Sequence, residues 1–443
     1  MSGAARRSVV RALAEAIGSM KLSVVLLVLL GVLTWLGTLA QVEKGLWLVQ
    51  KEYFESWWVI YEYPARTLEE LRSAAADDSF RLKIPLPGAY VVMVLLFVNL
   101  LVGGLLRLKW RWRNGGVLTI HIGIALLLAA GFVKVEFSTA GGVWLFEEPA
   151  DGAARVPERV YATSTSVSFH DYELALLVDR GGEIEERTVP ESTLWGARGD
   201  GRVTLAAEGL PFVVEVHDWF DNCDAVLKGP MVQTPAPVLD NRDGGPGVCL
   251  LPRPVATQRE ANTAGCYVDV VPAAGARMQG LLRAERGDSM TTRLPYDGRR
   301  FPFVFEVDGV RYGLDLRRVH YDLPFGLRLK RFVKTDHPGT MTAADYRSTV
   351  LVEDGGTSRE VQIFMNNPLR KDGYTVYQTS WGPQMSGRPI GNGPWYSAFE
   401  VSRNPSDQWP LYACIWIAIG LLWHFLAKLF RFLNSSAREA LSR

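Results

Sequence analysis

Four runs of apolar residues without a single Asp, Glu, Lys or Arg constrain this chain more than anything else in it. They are LSVVLLVLLGVLTWLGTLA from Leu22 to about Ala40, YVVMVLLFVNLLVGGLL from about Tyr90 to Leu106, VLTIHIGIALLLAAGFV from about Val117 to Val133, and PLYACIWIAIGLLWHFL from Pro410 to Leu426, beyond which the span is expected to continue, past Lys428 and Arg431, through Phe432. Roughly 20 apolar residues at a 1.5 Å rise cross a 30 Å hydrocarbon layer, and each run is near that length. A soluble protein rarely holds four such blocks. The composition, 48% hydrophobic and 21% charged over 443 residues, looks globular only because it averages these runs with a long polar stretch. With 48 basic and 47 acidic residues there is no basic footprint, so nucleic-acid binding is excluded as an expectation.

Lys and Arg in the short flanks orient the spans. Arg6, Arg7, Arg11 and Lys21 precede the first run, Arg107, Lys109, Arg111 and Arg113 lie between the second and third, and Lys428, Arg431, Arg438 and Arg443 follow the fourth. Such clusters stay cytoplasmic, which places both termini inside. The expected organisation is a cytoplasmic N-terminus (1–21), a first span (22–40), an extracytoplasmic loop (41–89), a second span (90–108), a basic linker (109–116), a third span (117–135), a large extracytoplasmic domain (136–409), a fourth span (410–432) and a cytoplasmic tail (433–443). Thr38-Leu39-Ala40 resembles a small-residue cleavage site, but the run before it is longer than a usual signal h-region and more spans follow, so retention as a span is expected.

The loop after the first span is aromatic, and ARTLEELRSAAADD within it reads as a short helix. The large outer stretch reads as strands. FVFEVDGVRYGLDL alternates about Asp308-Gly309, TVLVEDGGTSREVQIFM about Asp354-Gly355-Gly356 and YELALLVDRGGEIEERTV about Arg180-Gly181-Gly182, each a hairpin signal. Further strands are expected at SVSFH, FVVEVHDWF, CYVDVV, FGLRLKRFV, GYTVYQTSW and WYSAFEVS, with a long Gly/Pro-rich loop from about Lys228 to Thr257. The fold class is therefore a membrane protein with four transmembrane helices and a large, mainly antiparallel, sandwich-like β domain. Whether that domain is one sandwich or two stays open, as does any pairing of Cys223, Cys249 and Cys266.

Little in the outer domain points to catalysis. It carries no nucleophile elbow, zincin motif, P-loop or dinucleotide fingerprint. His170, His217, His320 and His337 are scattered singly, and the cluster of His217, Asp218, Asp221, Cys223 and Asp224 fits no zinc or calcium template. The spans say more. An ionisable side chain inside a membrane helix is costly and marks a functional candidate; here these are His121 in the third span and His424 in the fourth. In a low-dielectric setting the neutral imidazole is favoured, with a lone pair free to ligate haem iron. The bland alternative for both is a hydrogen bond to a neighbouring helix.

The segment from Tyr321 to Gly382 resembles ResB-type cytochrome c biogenesis proteins. It carries Leu323-Pro324-Phe325, Ser348-Thr349-Val350, Asn367-Pro368-Leu369, Gly373-Tyr374 and Tyr377-Gln378, and the opening KLSVVLLVLLGVLTWLGTLAQ with YFESWW is similar to the family's as well. The resemblance implies a bacterial inner-membrane protein with a periplasmic domain. It also implies work within a system II synthase, beside a CcsA-like multi-span partner whose tryptophan-rich motif handles haem and which this chain lacks. Haem b crosses the membrane and is attached to apocytochrome c, with membrane lipid around the complex. The family's third-span histidine, a haem axial ligand, matches His121; His424 has no counterpart and stays a second candidate. No catalytic residue is implied, and the chain is expected to be a non-catalytic or co-catalytic subunit of the haem lyase. The alternative is a membrane-anchored β-domain scaffold or sensor without cofactor.

Overall fold

The computed structural model describes residues 11–63, 82–108, 111–149, 160–206, 209–230, 232, 236–239, 247–284, 303–340, 342–382, 384–385, 388–389 and 395–441. The chain forms two compact units, Met1–Ser138 with Asn404–Arg443, and Thr139–Arg403. The helix expected at 65–78 lies outside the described residues.

The first unit is helical. Helix α1 (Met20–Lys44) starts at Ser19, whose hydroxyl accepts from the Leu22 N–H at 3.3 Å, and stops at Gly45, at φ 79°, a left-handed value that suits glycine. A hairpin follows, β1 (Trp58–Tyr63) against β2 (Leu82–Pro87), in antiparallel register from Trp58↔Pro87 to Tyr63↔Leu82. It leads into α2 (Ala89–Asn99), which continues as a π-helical turn over Leu100–Leu106. Helices α3 (Gly115–Phe137) and α4 (Trp409–Leu441) complete the unit. Among the described residues four helices are long and apolar enough to cross a membrane: Met20–Lys44, Ala89–Leu106, Gly115–Phe137 and Trp409–Ser435. Their β-branched content is no obstacle there, since hydrocarbon offers no partner for an unpaired peptide group and so favours the helix. Leu27, Trp35, Ile415, Leu422 and Phe425 stand exposed along them, as side chains facing lipid do.

Small residues bring α3 and α4 together. A Cβ on Gly116 would lie 2.7 Å from both the Gly420 carbonyl oxygen and the His424 nitrogen, and one on Gly123 would lie 3.0 Å from the Ala413 carbonyl oxygen. Farther along, the Ser406 hydroxyl donates to the Ala130 carbonyl at 2.9 Å. Rising residue numbers in α3 meet falling ones in α4, so the pair is antiparallel and in near backbone contact.

The second unit is antiparallel β structure, as the alternating pattern predicts. Its strands are β3 (Thr139–Phe146), β4 (Ala162–Asp179), β5 (Ile184–Pro190), β6 (Arg202–Leu205), β7 (Phe212–Phe220), β8 (Cys223–Leu227), β9 (Val248–Pro252), β10 (Gly265–Pro272), β11 (Met278–Arg283), β12 (Phe303–Val307), β13 (Val310–Asp336), β14 (Ala343–Asp354), β15 (Thr357–Phe364), β16 (Leu369–Lys371), β17 (Tyr374–Gly382), the two-residue β18 (Gln384–Met385) and β19 (Arg388–Pro389), and β20 (Tyr396–Arg403). The hairpin turns form where expected: Asp308 and Gly309 have φ 53° and 77°, Gly355 and Gly356 52° and 86°, Gly181 and Gly182 81° and 129°. Two expectations need correction. SVSFH and YELALLVD belong to one strand, β4, and the Lys228–Thr257 stretch contains β9, paired with β8. Strand β4 is broken only in register, beside the matching break between Arg318 and His320 in β13.

The large sheet runs β15-β14-β13-β4-β3-β20-β17-β16, with β12 on β13 and β5 on β4, and a smaller sheet runs β11-β10-β7-β6. The question of one sandwich or two has a mixed answer. One core lies between the small sheet and the β12/β13/β4 part of the large one, through Leu174, Leu176, Val214, Val268, Phe305 and Leu314. A second forms where the rest of the large sheet curls on itself, through Leu145, Phe325, Leu327, Val350, Val376 and Phe399. The 27-residue β13 supplies both cores.

Inside the second core the polar residues are matched to one another. Ser348 is fully buried; its hydroxyl lies 2.6 Å from that of Ser397 and 2.9 Å from Gln378 Oε1. The three thiols of this unit, Cys223, Cys249 and Cys266, are buried and unbridged. Burial pushes the Cys223 thiol up to about 12, so it is protonated and unreactive.

Two histidines give the β unit a pH signature. Burial holds the imidazoles of His170 and His320 below the usual histidine range. Between that lowered pKa and about 6.5 the unfolded chain binds more protons than the folded one, so stability falls as pH drops through that window. In urea titrations followed by tryptophan fluorescence, the midpoint of wild type is expected to fall from pH 7.5 to pH 5.5 more steeply than that of His320→Gln. Equal slopes would show that the burial of His320 carries no linkage.

Candidate functional site

His121 lies on α3, half-buried, and its surroundings select one tautomer. Its Nδ1 is 2.8 Å from the Val117 carbonyl oxygen one turn back. A carbonyl can only accept, so Nδ1 carries the proton and the lone pair of the neutral ring sits on Nε2. A metal-bound histidine is oriented in this way, with the far nitrogen bonded to an acceptor and the near one left to the metal. On its other side the ring meets α2's π-helical turn, where a Cβ on Gly104 would lie 2.8 Å from His121 Cδ2 and 3.0 Å from Cγ.

His424 is placed differently. Its backbone lies on the α3–α4 crossing, against Gly116, while its ring makes an edge contact with Phe425 at 5.7 Å between centroids. The neighbouring Trp423 packs on Trp112 at 4.7 Å. On a helix turning 100° per residue, His121 lies about 140° around α3 from Gly116. The two histidines thus address different faces of the third span. His424 is also level with Gly116, five residues and about 7.5 Å along the axis from His121. Hence His121 has a defined donor atom and a close neighbour, while the backbone of His424 lies at a helix crossing.

The donor set also bears on which metal group could be held. Among the described residues no group of three or more His, Cys, Asp and Glu side chains is placed to bind a metal ion. A single imidazole with a free Nε2, in an apolar span, suits an iron whose equatorial ligands come from a porphyrin; it does not suit zinc, which requires more protein donors.

Most histidines and acids of the β unit singled out by the sequence have partners within that unit. His217 Nδ1 is 2.7 Å from Asp218 Oδ2 and its Nε2 is 3.3 Å from Asp269 Oδ2. Asp221 pairs with Arg198 at 2.7 Å and Asp224 with Arg253 at 2.7 Å, so the acids around Cys223 are neutralised by arginines and do not converge on a common point. His170 faces Glu260 at 3.3 Å, and the His337 backbone belongs to an exposed turn, its N–H donating to the Thr342 carbonyl at 3.0 Å. The sequence motif of the β unit is likewise used by the fold. Leu323, Phe325, Val350 and Leu369 are core residues, Ser348 and Gln378 form the buried polar group with Ser397, and Asp372 and Gly373 turn the chain at φ 50° and 79°.

Two features of the helical unit carry signals that the sequence reading passed over. Asn99, polar within an apolar run, is buried at 6% exposure. Its amide donates to the carbonyls of Ile17 (2.5 Å) and Ser19 (3.1 Å), and its oxygen accepts from the Ser23 hydroxyl at 2.7 Å. Directly after it comes the π-helical turn holding the adjacent pair Gly103-Gly104. An asparagine and a glycine pair in one span were visible marks of a close approach.

Comparison with known proteins agrees with the motif. Residues 280–392 match the model of the ResB-like family. Protein NrfI of Wolinella succinogenes is 30% identical to the chain over 112 residues, which are 25% of this chain and 11% of NrfI. The match therefore spans about a tenth of that relative's length. The matched stretch includes the long strand β13, the β14–β15 hairpin and β17, the strands that build the second core and carry the motif from Leu323 to Gln378. Through this stretch the chain is similar to ResB-like proteins, and it carries four helices fit to cross a membrane.

Proposed function

We propose that this chain is the ResB-like subunit of a membrane complex for cytochrome c assembly, in which His121 holds haem b on its way to covalent attachment. The observation that carries the reading is the His121 ring itself: an imidazole in an apolar span, tethered through Nδ1 to Val117 and presenting Nε2. In this reading haem is cargo, and its attachment to the cysteines of apocytochrome c occurs on a CcsA-like partner. The chain's own part is to bind and orient. His121 offers the axial nitrogen, and the Gly104 backbone limits the ring's rotation. The basic flanks set the topology, with both termini in the cytoplasm and the β unit in the periplasm. The second unit, whose motif residues serve its own cores, is read as a rigid outer body that other components of the complex meet.

A strain lacking the chain is expected to lose haem-stained c-type cytochromes while keeping its b-type cytochromes, and the wild-type chain in trans restores them. Normal c-type levels in the deletion strain contradict the assignment and favour the second reading, a β-domain scaffold or sensor without cofactor. That reading draws on the purely structural use of the outer motif.

A further inference from the structure

We infer that Gly104 positions the His121 imidazole, and that Asn99 holds the turn on which Gly104 lies. The inference deepens the reading of His121 as a haem ligand and rests on it for its functional meaning, but its geometric part stands by itself. The α2 helix leaves α-helical geometry at Leu100, and at its end the Arg107 N–H donates to the Val102 carbonyl, five residues back, at 3.0 Å. Such π turns are rare and occur often at functional sites.

The turn holds two consecutive glycines that allow close approach on two sides. Toward the start of α1, a Cβ on Gly103 would lie 2.6 Å from the Gly18 carbonyl oxygen. Toward α3, one on Gly104 would meet the imidazole carbons of His121 at 2.8 and 3.0 Å. The ring is thus fixed on two edges. Nδ1 is tied to Val117 at 2.8 Å, and Cδ2, the atom bonded to Nε2, lies against the Gly104 backbone. With both edges occupied, the direction of the Nε2 lone pair is set before any ligand arrives, which is how outer contacts tune a metal ligand.

Asn99 anchors this arrangement. It directly precedes the turn, and its side chain makes hydrogen bonds to Ile17, Ser19 and Ser23 around the first turn of α1. A buried amide with these partners resists displacement, because hydrocarbon supplies no replacement for them. Close packing alone accounts for Gly103, whose neighbour is backbone. At Gly104 the neighbour is the imidazole, and there a methyl group must move the ring or the turn.

The test uses the full-length chain with isotope-labelled histidine, of which the sequence has only 6. In protein free of haem, Gly104→Ala is expected to shift the His121 Cδ2 and Nε2 resonances and leave those of the outer histidines in place. Asn99→Ala, which adds no atom at the ring, is expected to move the same signals by a smaller amount. Gly131→Ala, where nothing lies within 4 Å, should move none. Loaded with haem b, Gly104→Ala should change the ferric electron-paramagnetic-resonance g-values and weaken haem retention by about tenfold, the scale of outer-shell changes at metal sites. If neither Gly104→Ala nor Asn99→Ala moves the His121 resonances, the inference is wrong. If both move them while His121→Ala leaves the haem spectrum intact, the positioning stands and the ligand role falls.

Discussion

His121→Ala is expected to cut the covalent haem in c-type cytochromes to about a tenth of wild type or less, with the protein still present in the membrane at its usual level. Outer contacts at metal sites typically matter by about 10–100-fold, and the loss of the donor atom itself costs at least as much. The substitution leaves little else disturbed. The ring is only half-buried, so its loss opens no large core cavity, and Val117's carbonyl keeps its helical N–H partner in α3. Imidazole added to the culture should restore part of the signal, since a small ligand can enter the space the ring vacates. Haem staining of membrane fractions, normalised to the chain by immunoblot, measures both. Unchanged staining would mean that this histidine merely hydrogen-bonds within its helix.

The second large effect belongs to the fold. Gly116→Leu should lower the amount of protein in the membrane several-fold and reduce its thermal stability in detergent. The Cβ at that position meets backbone atoms of Gly420 and His424 at 2.7 Å, and backbone cannot rotate away. Overpacking of this kind costs about 1–3 kcal/mol even where side chains can adjust, and losses on that scale change cellular abundance severalfold. The Gly420 side has the same constraint, with a Cβ there 2.8 Å from the Gly116 carbonyl oxygen and from the Ile120 nitrogen. Gly131→Leu on the same helix is the control, because no atom lies within 4 Å of its Cβ position. Equal membrane levels of the two variants would show that α3 and α4 do not rely on this crossing.

Much of this architecture was legible in the residues. Charge-free runs near 20 residues have few outcomes besides a span, and Asp308-Gly309, Gly355-Gly356 and Gly181-Gly182 have the residue types that positive φ selects, so spans and hairpins could be read directly. The sequence could not show that SVSFH and YELALLVD join in β4, or that β13 runs for 27 residues through two cores. Strand length beyond a hairpin depends on pairing partners distant in sequence, and local alternation is blind to them. The Lys228–Thr257 stretch misled for a related reason: its Gly and Pro content obscured Val248–Pro252, a strand held by its pairing with β8.

The site was legible in part. His121 stood out because an imidazole in an apolar span is rare. The same rule raised His424, but depth along the membrane says nothing about what a residue packs against, and the close approaches place the His121 ring beside Gly104 and the His424 backbone beside Gly116. Asn99 and Gly103-Gly104 needed a different question of the sequence, about which residues let backbones approach. The motif of the β unit marked the family match while its residues build cores and turns, so the most specific stretch of sequence and the strongest candidate residue lie in different units of the chain.

The visible spectrum of the chain purified with its partner decides whether His121 holds haem. A haem b Soret band present in wild type and lost in His121→Ala is the predicted result. A colourless wild-type complex, or a Soret band that His121→Ala leaves unaltered, would contradict it.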